Sequence, residues 1–321
     1  MLTFDLKVGY SCNNDCKHCV IADSRDKLIN LGKSIDLTTA ECVEQIEQAA
    51  SNGAKNIVLT GGEVTIRNDL LSLLNKSKDL GLGIRMQTNG RLLSNLSLIE
   101  SVKAIQDIHF IVALHGPDAT THDSITQRAG SFEETVQGIT SMTGIEKKVI
   151  GKMVISKMNK NQLTEVLILL NDLGVKHVCL AFPHGQGGAR VNFDELIPRY
   201  SDIADELKKA IQKAEELKMS IEFEAIPFCI IPNYPYLVGE LQYLGEGGTF
   251  FAQVHEEILE WNCVRLAIKK KTEKCEACFY APLCEGPWEE YIDRFGDADL
   301  SPVVAAAEEK EKLQYLLAQI K

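Results

Sequence analysis

The chain alternates short apolar runs with longer stretches whose apolar residues recur three and four positions apart. Leu2 to Tyr10 predicts a strand. Thr38-Thr39-Ala40-Glu41 is a capping box, which starts a helix. Val43, Ile46 and Ala50 continue that helix at the expected spacing, and Gly53 suits its end. Further strands are predicted over Asn56 to Thr60, Ile84 to Thr88, Ile108 to Leu114, Lys148 to Ser156 and Val175 to Phe182. Helices are predicted between them over Leu70 to Leu80, Ser94 to Ala104, Phe132 to Met142 and Gln162 to Leu173.

Such alternation predicts parallel strands covered by helices and joined by right-handed crossovers. Six units are too few for the closed eight-stranded barrel. The expected fold class is therefore α/β, a partial (βα)6 TIM-like barrel over residues 1–195. Residues 196–226 add a connection, with a charged helix from Glu195 to Met219 and a further strand from Ile221 to Ala225. Pro227, Pro232, Pro235, Gly239, Gly245, Gly247 and Gly248 then break the pattern, so 227–321 is expected to form a small irregular C-terminal domain. Folds of this class bind ligands at the C-terminal ends of their strands. The loop after the first strand, Thr60-Gly61-Gly62-Glu63, Thr88-Asn89-Gly90 and Leu114-His115-Gly116 all fall on that rim.

Charge and composition narrow the partners. The net charge of −11 argues against bulk nucleic-acid binding, which needs many phosphate-neutralising cations. No apolar segment approaches the roughly 18 residues of a membrane span, and no membrane partner is expected. The stretch Met1 to Lys7 lacks the basic-then-apolar order of a signal peptide, so a cytoplasmic location is expected. With a first strand starting at residue 2, no preceding domain is expected to recognise a leader segment.

Ten cysteines change the picture more. In a reducing compartment, clustered thiols point to metal ligation and not to disulfides. Cys12, Cys16 and Cys19 form C-x3-C-x2-C, and Cys275, Cys278 and Cys284 form C-x2-C-x5-C. A cubane cluster takes four thiolates, so three local ones would leave one iron open to a small molecule. The alternative for the first set is a zinc knuckle completed by His18 or a distant residue. The second set suits zinc and iron–sulfur equally well by spacing. Cys42 and Cys179 read as small core residues. Other rim candidates are Gln87, His122, Asp123, Arg128, His184 and Arg190, with Asp118 as a helix cap. The loop Gly185-Gln186-Gly187-Gly188-Ala189-Arg190 does not match the dinucleotide fingerprint.

The triple-cysteine loop after a first strand, followed by Thr60-Gly61-Gly62-Glu63 on the second, resembles the radical S-adenosylmethionine superfamily. The resemblance implies that Cys12, Cys16 and Cys19 hold a [4Fe–4S] cluster whose open iron binds S-adenosylmethionine. It implies that Gly61, Gly62 and Glu63 face the methionine amino group. Thr88, Asn89, His115 and Asn159 match positions expected at the ribose and carboxylate, and His18 packs beside the cluster. The implied activity is reductive cleavage to a 5′-deoxyadenosyl radical that abstracts hydrogen from a substrate, an oxidoreductase chemistry. An electron donor such as flavodoxin or ferredoxin is the implied partner.

The C-terminal cysteines are similar to the SPASM extension or its shortened twitch form. The full pattern is C-x2-C-x5-C-x3-C, and here its last position is Trp288. One auxiliary [4Fe–4S] cluster is therefore expected, with Cys229 preferred over Cys263 as the fourth ligand. Such extensions recur in maturases of ribosomally made peptides, so a peptide or protein side chain is the first expected substrate, with a separate leader-binding protein as a further partner. A small-molecule substrate in cofactor or antibiotic biosynthesis is the alternative. A non-catalytic iron–sulfur electron carrier is the remote one.

Overall fold

A computed structural model describes residues 2–243 and 248–304 of the chain. Gly245, Gly247 and the final stretch 305–321 of the expected extension lie outside the described residues. The strands are β1 Thr3–Lys7, β2 Asn56–Thr60, β3 Gly83–Thr88, β4 Ile108–Ala113, β5 Lys148–Val154, β6 His177–Ala181, β7 Ser220–Glu224, β8 Thr249–Ala252 and β9 Ile258–Glu260. They form one open sheet in the order β7-β6-β5-β4-β3-β2-β1-β8-β9. Every neighbouring pair is parallel except β8 with β9. The unclosed parallel sheet with covering helices is the partial barrel expected of the α/β class.

Side chains alternate across each strand, and the two faces differ in chemistry. Leu6, Ile57, Leu59, Met86, Phe110, Val112, Met153 and Leu180 are buried under the helices. They meet Ile46, Leu73, Leu74, Val102, Ile139, Leu167, Leu170 and Leu207 in one continuous core. The alternate positions Asp5, Lys7, Gln87, Lys152, Glu222 and Glu224 are half-buried. They give the other face a polar lining. On it the Lys152 ammonium meets Glu224 at 2.6 Å.

The helix starts are set by local hydrogen bonding. In the Thr38 capping box, the Glu41 N–H donates to Thr38 Oγ1 at 3.2 Å and the Thr38 N–H donates to Glu41 Oε2 at 2.7 Å. Asp118 caps the next rim helix by accepting from the Thr121 N–H at 2.8 Å. The single helix expected from Glu195 to Met219 is two, Phe193–Leu196 and Tyr200–Glu216. Pro198 lies between them, where its missing N–H and fixed φ interrupt the ladder.

The irregular stretch after Pro227 also holds more order than its prolines and glycines suggest. It contains β8, which leaves β7 far behind and joins the opposite edge of the sheet beside β1. A four-residue strand inside a glycine-rich segment has too little periodicity to read from sequence.

Arg67 secures the exit of β1. Its guanidinium forms a two-pronged pair with Asp69 at 2.8 and 2.7 Å and donates to the carbonyls of Val8 at 2.7 Å and Leu37 at 3.0 Å. The side chain is 13% exposed, so its loss leaves the Leu37 carbonyl without a partner and strips one bond from the Val8 carbonyl and two from the Asp69 carboxylate. Arg67→Met is expected to destabilise the fold by about 3 kcal/mol in urea unfolding.

Candidate functional site

The rim is built outward from β1. The chain leaves that strand as Val8-Gly9-Tyr10-Ser11, and β2 leaves beside it as Gly61-Gly62-Glu63. The Gly62 N–H donates to Gly9 O, and the Glu63 N–H to Ser11 O, both at 2.8 Å. The backbones approach so closely that a Cβ on Gly62 would lie 2.1 Å from the Ser11 carbonyl oxygen. A Cβ on Gly61 would lie equally close to Gly9 O, and Gly61 has a φ of +129°. Here the two glycines serve chain-against-chain contact.

That contact delivers Glu63 into the rim. It is buried, and its carboxylate accepts four hydrogen bonds. Oε1 takes the Thr65 N–H at 2.9 Å, the Thr65 hydroxyl at 2.5 Å and the Thr88 hydroxyl at 2.6 Å, and Oε2 takes the Asn89 N–H at 2.6 Å. Asn89 Nδ2 passes the connection on to Asn13 Oδ1 at 2.6 Å, inside the cysteine loop. Thr60 Oγ1 meets Gln87 Oε1 at 3.1 Å one layer below.

The loop from Cys12 to Cys19 is tied to three other rim segments. Arg91 donates to Asn14 Oδ1 at 2.9 Å and to the Asn13 carbonyl. The Asp15 and Lys17 N–H groups donate to Thr126 O and Ile125 O, each at 3.0 Å. The Gly188 N–H donates to Cys19 O at 2.8 Å. Gly187, at φ +58°, has room for no Cβ, because one would fall 2.2 Å from Cys19 O. The glycine-rich loop after β6 is thus a packing surface for the cysteine loop. Its other flank meets the extension, where His184 lies 4.1 Å from the Trp288 ring and 3.4 Å from Glu290.

Three histidines stack behind the cysteine loop. His18 meets His115 edge-on at 4.6 Å, and His115 stacks on His122 at 5.8 Å. Nδ1 of His122 accepts from the His115 N–H at 3.1 Å, and Nδ1 of His115 accepts from the Val154 N–H at 3.4 Å. Both rings are therefore neutral. Burial pushes His18 and His122 down to about 4 and His115 well below its ordinary range. Asn159 uses its whole amide on the rim backbone. It accepts from the Ser156 N–H at 2.6 Å and donates to His115 O and Val154 O at 2.9 Å. In this structure Thr88, His115 and Asn159 are struts of the rim. The charged Arg91, directly after Thr88-Asn89-Gly90, escaped the motif reading although its place beside that turn marks it.

At the other end of the chain, Cys229, Cys275, Cys278 and Cys284 line one cavity together with Pro227, Phe228 and Leu300. Cys263 lies elsewhere, exposed on the helix Trp261–Ala267. Cys42 and Cys179 are buried.

The donor sets suit iron–sulfur clusters. A mononuclear thiolate site holds its sulfurs only about 3.8 Å apart, given zinc–sulfur bonds near 2.3 Å. Among the described residues, neither cysteine set brings three ligand atoms within 4.8 Å of one another. Backbone N–H groups already point at sulfur: Asn14 to Cys12 and Gly286 to Cys284 at 3.4 Å, and Val303 to Cys278 at 3.5 Å. Such bonds are typical of cluster thiolates. Burial pushes the thiols of Cys16, Cys19 and Cys284 up and that of Cys229 up to about 12, so a bound metal charge would be needed to hold them as thiolates.

Comparison with known proteins agrees with this geometry. Residues 6–170 match the model of the Radical SAM superfamily. The AdoMet-dependent heme synthase of Methanosarcina barkeri is 30% identical over 200 residues, which are 62% of this chain and 54% of that protein. The chain thus spans about half the length of the heme synthases it matches. Streptococcus suis SuiB, solved with S-adenosylmethionine, superposes with a TM-score of 0.67 over 91% of this chain and 74% of its own at 16% identity. The anSMEcpe structure with bound AdoMet superposes at 0.66 over 100% of this chain and 98% of its own at 15% identity. These structural likenesses speak for the fold. No helix of the described residues is long and apolar enough to cross a membrane. The cysteine loop, its glycine clamp, the open parallel sheet and the family match together make this chain a member of the radical SAM superfamily, enzymes that use a [4Fe–4S] cluster and S-adenosylmethionine.

Proposed function

We propose that this enzyme modifies a side chain of a peptide or protein, as a maturase of ribosomally made peptides. Cys12, Cys16 and Cys19 would hold the S-adenosylmethionine cluster, with the backbone of Gly61 and Gly62 and the rim residues Glu63, Thr88, Asn89, His115 and Asn159 shaping the pocket. When bound, the pair supplies a 5′-deoxyadenosyl radical able to remove hydrogen from an unactivated C–H bond. Glu63 fixes the β2 and β3 ends relative to the cysteine loop, and Arg91 holds the loop against the rim. Buried neutral histidines keep the back of the loop dry and uncharged.

Residues 227–321 would form a SPASM- or twitch-like extension with one auxiliary [4Fe–4S] cluster on Cys229, Cys275, Cys278 and Cys284. The observation that carries this reading is the shared cavity of those four cysteines, which excludes Cys263. The likeness to SuiB and anSMEcpe runs through this extension, and both have been solved with peptides, SuiA and Kp18Cys respectively. A second reading, action on a small molecule, is favoured by the heme synthases among the sequence relatives. A flavodoxin or ferredoxin would deliver the electron, and a separate protein would present a leader.

Anaerobic incubation with S-adenosylmethionine and dithionite is expected to yield 5′-deoxyadenosine, at least tenfold above the Cys12→Ala/Cys16→Ala/Cys19→Ala variant; equal yields from both would refute the assignment of these ligands. Formation should rise further with peptides encoded beside the gene. Stimulation by an iron tetrapyrrole, with none by peptide, moves the assignment to the small-molecule reading. For the second site, Cys229→Ala is expected to lose the iron of one cubane, roughly four per chain, while Cys263→Ala keeps it. Iron and sulfide analysis giving the reverse would exchange the two cysteines.

A further inference from the structure

The helix Trp261–Ala267 leads into Lys269, whose side chain is only 2% exposed. A buried ammonium is costly unless paired. Lys269 has modest partners for so deep a position. Its Nζ lies 3.6 Å from Glu240 Oε1, beyond hydrogen-bond range, and 3.7 Å from the centre of the Trp288 ring. Arg265 nearby is engaged by Glu285 at 2.8 and 2.5 Å, so that carboxylate is already committed.

Lys269 also faces a cavity. Lys269, Glu240, Glu285 and Cys284 line it together, with Ala225, Ile226 and Phe228 as apolar walls. Cys284 also lines the four-cysteine cavity, so the two spaces adjoin through a wall of Pro227, Phe228, Cys284 and Gly286 in which Cys284 is the only thiol. Trp288 stands where the full extension pattern has a further cysteine. Its ring forms the shelf over which the ammonium is held, with His184 on the barrel rim touching the same ring.

We propose that Lys269 is a positioning cation for the auxiliary cluster, aimed at its Cys284 edge, and that it raises the reduction potential of that cluster. This rests on the assignment of the four cysteines as ligands made above. Reduction adds one electron and one negative charge to the cluster and breaks no bond. A fixed ammonium behind one thiolate stabilises the more negative form in a medium of low dielectric. Trp288 in place of a cysteine thus exchanges a ligand for a cation shelf. A raised potential suits this cluster to taking an electron from its surroundings.

The test uses the full chain carrying Cys12→Ala/Cys16→Ala/Cys19→Ala, which leaves only the auxiliary site, titrated with dithionite and followed by electron paramagnetic resonance. Adding Lys269→Met should lower the reduced-to-oxidised ratio at fixed potential by about tenfold, a negative shift of 59 mV for one electron. Lys269→Arg should restore it. Glu240→Gln removes the competing anion while keeping the lysine, and should shift the potential upward, which covers the case in which Lys269→Met does not fold. A full iron count with an unchanged potential in Lys269→Met overturns the inference alone, as does a downward or absent shift in Glu240→Gln. Loss of all iron from the triple-cysteine parent overturns the auxiliary site itself, and the inference with it.

Discussion

The rim depends on one contact between two backbones. Where β1 and β2 end, the Gly61-Gly62 turn lies against Gly9-Tyr10-Ser11 at a separation that excludes even a methyl group. Two backbone hydrogen bonds hold it there. Side-chain contacts could tolerate a rotamer change, but a backbone pair cannot move without moving both strands. The cysteine loop therefore starts from a fixed point, and Glu63 emerges from the same contact facing β3. Its four hydrogen bonds make one carboxylate the junction of β2, β3 and, through Asn89, the cysteine loop. Such a saturated buried network is rigid because each member is spent on the others.

The fold was largely legible because its strands are short, apolar and regularly spaced among amphipathic helices. The positions of β1 to β7 followed from that rhythm. What escaped were elements whose existence depends on distant partners. β8 is four residues that become a strand only because the edge of β1 is available. β9 is shorter still. At the site, the cysteines and the Gly-Gly-Glu turn were legible as chemistry, since their spacing has few other uses. The manner in which the glycines work was not, because close approach to a ligand and close approach to another backbone leave the same mark in sequence. Arg91 and Lys269 were invisible for a related reason. A lone cation in an acidic chain looks like surface until its burial is known.

The extension is attached through paired charges and aromatic faces. Across the boundary Arg199 pairs with Asp299 at 3.1 Å and Asp194 with Arg294 at 2.6 Å, while inside the extension Arg265 is locked to Glu285 and Lys269 sits between Glu240 and Trp288. Trp288 touches His184 on the β6 loop, while that loop packs by Gly187 and Gly188 on the backbone of Lys17 and Cys19. Aromatic packing continues the contact through Phe182, Tyr200 and Tyr291. Buried ion pairs contribute little net stability, yet breaking one leaves a stranded charge, so they select one arrangement over its neighbours. A continuous solid path of this kind joins the two cysteine regions through a single loop.

The pairing of β8 with β1 also has a bearing on how the molecule comes together. Thr3 lies opposite Thr249, so the two partners stand at nearly opposite ends of the described chain. Closing so long a loop costs entropy that is recovered only after the contact forms, which makes it a late event in folding. During synthesis the strands from β1 to β7 exist before β8 does. The β1 edge therefore stays bare while the cysteine loop beside it is already in place. When β8 docks, it covers the side of the sheet next to that loop.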